Sequence, residues 1–160
     1  MAIEDALWSA VFTLAGAILL YVTTRGIEAW AVSPLAAFKE EAIATRINLL
    51  FYKNILTNHF AENAISEEWR KTLIQSQNIV RQHWAKLSTR YVTIPVFVRK
   101  LERKLPSPGK MKQIEQNLLN ISNRSLIFMP GITSSSATDC KDSADKIDFI
   151  IEVLDKAIGN

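Results

Sequence analysis

Cysteine is nearly missing from this chain: Cys140 stands alone among 160 residues. A single thiol excludes an intramolecular disulfide and any cysteine-based zinc site. Glycine is sparse and scattered, at positions 16, 26, 109, 131 and 159, so no Gly-rich phosphate loop can form. Neither a Gly-x-Ser-x-Gly elbow nor a Cys/His pairing occurs. The two histidines do not make a metal constellation either. His59 and Glu62 reverse the Glu-x-x-His order of carboxylate-bridged sites in helix bundles, and no second copy exists. His83, beside Trp84, is expected to be a surface or half-buried helix residue. These absences predict no catalytic site, no metal and no cofactor.

Charge is missing from one stretch in particular. Between Asp5 and Arg25 no side chain is ionised, and a helix over about 6–24 covers about 28 Å at roughly 1.5 Å per residue. That length matches a bilayer's hydrocarbon core. A soluble core helix so long normally keeps a polar face. Here the polar groups are Ser9, Thr13, Thr23 and Thr24, whose hydroxyls can bond the preceding turn. Trp8 and Tyr21 stand near the two ends, where amphipathic rings favour the interface. A cleavable signal fits poorly, because "MAIEDA" is acidic where a signal is basic, and Ala29-Trp30-Ala31 follows Arg25 and Glu28. The expectation is an uncleaved single-pass anchor in residues 1–32. Arg25 and Lys39 follow the span and no base precedes it, which places the N-terminus outside and the remainder in the cytoplasm. One face of the span carries Ala6, Ser9, Ala10, Thr13, Gly16 and Ala17. Small residues in such a strip let helix backbones approach, so self-association or a partner span is expected there.

Residues 33–160 supply the remaining mass, enough for one helical domain. Ser33-Pro34 reads as a helix start, with Leu35, Phe38, Ile43, Ile47, Leu50 and Ile55 on one side up to about Asn58. Ser66-Glu67-Glu68 opens the next helix, with Trp69, Leu73, Val80, Trp84 and Leu87 at helical spacing to about Arg90. Ile94-Pro95 marks a bend before a short helix over 95–105. Ser107-Pro108 starts another helix, faced by Met111, Ile114, Leu118, Ile121 and Ser125. A linker near 129–138 precedes a last helix with Ile147, Ile150, Ile151, Leu154 and Ile158, stopped by Gly159. The fold class is all-α: one N-terminal transmembrane helix followed by a four- to five-helix bundle.

Charge is distributed unevenly along that domain. Lys86 to Lys112 holds eight bases (Lys86, Arg90, Arg99, Lys100, Arg103, Lys104, Lys110, Lys112) against Glu102. On a helical wheel over 94–105, Ile94, Phe97, Val98, Leu101 and Leu105 share one arc. Arg99, Lys100, Arg103 and Lys104 oppose it. Such a segment can lie on an anionic leaflet, bind a partner, or pack its apolar arc on the bundle with the bases in water. Nucleic acid is not expected, because no reading motif accompanies the patch.

"FYKN" (Phe51, Tyr52, Asn54) with Thr57-Asn58, then Leu105-Pro106-Ser107 and "LLNISN" before Phe128, resemble a group of small bacterial single-pass membrane proteins with a C-terminal helical domain. The resemblance spans about residues 5–128. It implies this architecture, a bacterial inner membrane, and no particular activity. The function expected is a membrane-tethered binding or scaffold protein that engages a partner at the membrane surface. The alternatives are a toxin-immunity or defence-associated membrane factor, or an enzyme assembled across helices from Glu40, Glu41, Arg46, Tyr52, Asn54 and Asn58.

Overall fold

The computed structural model describes residues 2–57, 66–124 and 137–159, with side chains at 5–57, 66–123 and 141–159. The described residues form helices α1 (Ala2–Ile27), α2 (Ser33–Thr57), α3 (Glu67–Thr93), α4 (Val96–Leu101), α5 (Pro108–Arg124) and α6 (Ala137–Ile158). Among them there is no strand.

The start expected at Ser33-Pro34 is not a start. A π turn, Glu28–Val32, carries α1 directly into α2, and the backbone stays helical at Ile27 (φ −64°, ψ −44°) and Ser33 (φ −62°, ψ −46°). Pro34 explains the turn. Inside a regular α-helix it donates no hydrogen bond and its ring crowds the carbonyl of residue 30. The π turn widens the ladder by one residue, so that Ser33 N–H bonds Glu28 O, and the helix passes the proline unbroken. The boundary expected between residues 32 and 33 therefore coincides with no break in the backbone.

α2, α3, α5 and α6 pack in a ring, each against the next. Phe38 meets Tyr91 while Asn48 meets His83, so α3 runs antiparallel to α2. Tyr91 Oη donates to Pro106 O and Arg81 to Ser122 O, which makes α5 antiparallel to α3. Arg46 pairs with Asp155 and Lys53 with Asp148, so α6 descends alongside α2. The result is an up-down-up-down four-helix bundle. Its core holds Phe38, Leu49, Val80, Leu87, Ile94, Met111, Ile114, Leu118, Ile147, Ile150 and Leu154.

Local signals explain most helix ends. Ser66 Oγ accepts from Trp69 N–H at 3.2 Å and Ser107 Oγ from Lys110 N–H at 3.4 Å, both as N-caps. α6 ends where Gly159 takes φ 100°, a left-handed conformation that L side chains rarely adopt. A Cβ there would also lie 3.1 Å from Lys104 Nζ. α3 runs to Thr93, three residues past the expected Arg90, and stops before Pro95, whose ring disfavours a helical Ile94. Of the linker expected at 129–138, residues 129–136 lie outside the described residues, and Ala137 already belongs to α6. Residues 58–65, with His59 and Glu62, and Ser125 also lie outside them.

The face of α2 differs from expectation. Phe38, Ala42, Thr45, Leu49 and Leu56 are buried, whereas Ile43, Ile47, Leu50 and Phe51 are exposed. The helix is apolar on two sides, and the antiparallel neighbours cover only the side with the smaller residues at 42 and 45. Small side chains there let the neighbours pack closely.

Candidate functional site

Two surfaces of this molecule lack the cover that their chemistry calls for. The first is α1 itself. None of its most apolar stretch is buried by the chain, and it is long and apolar enough to cross a membrane. Thr13 Oγ1 donates to Ser9 O and Thr23 Oγ1 to Leu19 O, both at 2.8 Å, so these hydroxyls need no water. Arg25 closes the apolar run, bonding Glu28 at 2.9 Å with its guanidinium 5.7 Å from the Tyr21 ring. The strip Ala6, Ser9, Ala10, Thr13, Gly16 and Ala17 lies open; a Cβ at Gly16 would meet nothing of this chain within 4 Å.

The second surface is the α3–α5 connection, at the end of the bundle beside α1. The short helix expected over 95–105 closes after one and a half turns. α4 ends at Leu101, Leu105 N–H bonds Glu102 O, and the chain turns into the buried Leu105-Pro106. This splits the expected apolar arc. Ile94 and Leu105 enter the core and Val98 packs at its edge, while Val96, Phe97 and Leu101 stay in the open, Leu101 at 75% exposure. Phe97 stacks on Trp30 of the π turn, ring centroids 5.0 Å apart. The contact holds α4 against the exit of α1.

The four bases expected to oppose that arc divide as well. Arg99 is half-buried: its guanidinium sits 5.1 Å over the Tyr91 ring, with Nε out of reach of solvent. Lys100, Arg103 and Lys104 are exposed, and none of them makes an ion pair among the described residues. Arg103 and Lys104 line a cleft of about 490 Å³ with Lys110, Lys156, Val153 and Gly159. One base of the cleft, Lys156, has an acidic partner of its own. Glu152 bonds Lys156, and that ammonium, with Lys110 farther off, holds its carboxyl below the ordinary range. Three bases of the cleft, Arg103, Lys104 and Lys110, thus remain without an acidic partner.

No family model, no functionally described protein and no solved structure matches this chain.

The residues considered for catalysis are not gathered. Glu40 and Asn54 are exposed, Arg46 is committed to Asp155, Tyr52 lies edge-on to Phe51, and Asn58 falls outside the described residues. Glu41 instead joins a contact that the sequence did not announce. His83 Nδ1 lies 2.6 Å from Glu41 Oε1, and its Nε2 lies 2.9 Å from Asn48 Nδ2, which also donates to Ala44 O. With Asn48 as donor, Nε2 accepts and the Nδ1 proton faces the carboxylate. These half-buried groups clamp α2 to α3. Among the described residues no group of three or more His, Cys, Asp or Glu is placed to hold a metal.

Proposed function

We propose that the protein is a membrane-tethered helical scaffold. In this reading α1 crosses a bacterial inner membrane with its N-terminus outside, and the bundle stands at the cytoplasmic surface to engage a partner protein. The observation that carries it is the bareness of α1: an apolar helix none of whose described side chains is buried, continuous with a helix whose own stripe is buried. Such a surface in water would be an aggregation site, and a bilayer removes it from water. The unbroken helical passage from α1 into α2 supports the scaffold role, because it ties the bundle directly to the anchor. Ile43, Ile47, Leu50 and Phe51 form the bare α2 stripe proposed for the partner protein. Arg25 and Lys39, the bases that follow the apolar run, support the cytoplasmic placement.

The test uses the full chain carrying Cys140→Ser and Lys141→Cys, the latter at an exposed position. The protein is expected to stay with membranes after an alkaline carbonate wash. A membrane-impermeant maleimide should label residue 141 only after lysis. Release by carbonate would overturn the span, and labelling in intact cells would reverse the topology.

A further inference from the structure

The end of the bundle beside α1 combines bare apolar tips with unpaired bases, and its height relative to a bilayer can be reckoned. Trp30 lies five residues past Arg25, about 7.5 Å farther along the axis at roughly 1.5 Å per residue. A bilayer's headgroup layer adds about 5–7 Å beyond each side of its hydrocarbon core. The Trp30–Phe97 stack holds α4 at the outer edge of that layer. α4 there presents Val96, Phe97 and Leu101 bare, and Lys100, Arg103, Lys104 and Lys110 stand around it without ion-pair partners among the described residues.

We infer that this face docks on the anionic surface of the same bilayer that α1 crosses. Its apolar tips enter the interfacial layer, and Lys100, Arg103, Lys104 and Lys110 lie against lipid phosphates. The inference rests on the reading of α1 as a span. Two features select lipid as the occupant: α4 touches the segment that has just left the apolar run, and the charge left uncompensated there is predominantly basic, Lys100, Arg103, Lys104 and Lys110 against Glu102 alone. Short apolar side chains ringed by bases have the composition of interfacial anchors. The contact adds a second foothold beside the span, so the bundle has one preferred tilt and rotation over the membrane. Arg99, turned inward over Tyr91, braces α4 and takes no part in the docking.

The experiment places a fluorophore on Leu101→Cys in the full Cys140→Ser chain, reconstituted into phosphatidylcholine vesicles with or without phosphatidylglycerol. A quencher is carried on the lipids near the headgroup. Quenching at 101 is expected to exceed that of the same dye on Lys141→Cys, at the far end of the bundle. It should rise with phosphatidylglycerol and fall with added salt. Changing Lys100, Arg103, Lys104 and Lys110 to Gln should lower the docked-to-undocked ratio by about fivefold for each base removed, the equivalent of about 1 kcal/mol per charge. The salt series on the unsubstituted bases keeps the test valid if that variant folds poorly. Protein that floats with the vesicles but shows equal quenching at 101 and 141 overturns the docking. Quenching at 101 that ignores lipid charge overturns docking on the anionic surface. Protein that fails to float with vesicles at all overturns the span instead.

Discussion

α1 and α2 are consecutive stretches of one helix, yet they are apolar in different ways. α1 is apolar all round and buries nothing, while α2 buries a stripe of Phe38, Ala42, Thr45, Leu49 and Leu56 and keeps Arg46 and Lys53 for α6. A helix wrapped by a uniform medium needs no polar face, whereas a helix with protein on one side and water on the other does. The change of environment falls at the π turn, where Pro34 would otherwise kink the helix. The two halves should therefore answer the same substitution differently.

The largest contrast is between two phenylalanines. Phe38 is 0% exposed and tilted against Tyr91, whereas Phe12 is 71% exposed. Phe38→Ala should destabilise the bundle by about 3–5 kcal/mol. Phe12→Ala should leave it unchanged, both read by denaturant melts in detergent. Equal losses would mean that α1 packs on protein and would end the distinction.

A charge tests the other half. Leu14→Arg, near the middle of α1, should cost about 3 kcal/mol of membrane insertion. It should reduce the carbonate-resistant fraction and leave the bundle's melt in detergent unaltered. A bundle that unfolds with this variant would place α1 inside the fold.

Within the bundle, the Glu41–His83–Asn48 contact should behave as a clamp. Glu41→Ala and His83→Ala each leave a half-buried polar partner unmatched and should cost about 1–3 kcal/mol. Because the groups touch, the double variant should cost less than the sum of the two, by about 0.5–3 kcal/mol. Strict additivity in a double-mutant cycle would show that the pair contributes nothing as a pair.

What the sequence disclosed depended on how one-sided each helix is. Met111, Ile114, Leu118 and Ile121 in α5, and Ile147, Ile150 and Leu154 in α6, were legible because each helix has a single apolar face, and all are buried. Gly159 was legible as a stop because the left-handed turn there favours glycine. α2 was misread because it carries two apolar sides, and its buried one uses Ala42 and Thr45, which weigh little in any periodicity. The continuity through Pro34 was hidden because Ser-Pro marks a helix start as readily as a π turn. The basic segment was recognised by composition, but a wheel drawn over 94–105 assumed a helix that closes at Leu101. The wheel therefore could not foresee Arg99 turning inward. The clamp was invisible because Glu41 and His83 lie 42 residues apart, and only the antiparallel packing of α2 and α3 joins them.

The smallest effect is expected at Ile47, and it sharpens the comparison from the other side. Ile47 is 55% exposed on the bare stripe of α2, one residue from Asn48 of the clamp and two from the buried Leu49. Ile47→Ser leaves the packed face intact, so bundle stability should change by no more than about 0.5 kcal/mol. A loss above about 1 kcal/mol would show that the stripe is covered in solution. Repeating the melt across protein concentrations would then identify the cover. A midpoint that rises with concentration in the parent and not in the variant means a second copy sits on α2. A midpoint independent of concentration in both means that the cover comes from this chain. With no loss at all, α2 carries one face for its own bundle and a second left bare, the division that α1, bare along its described length, does not make.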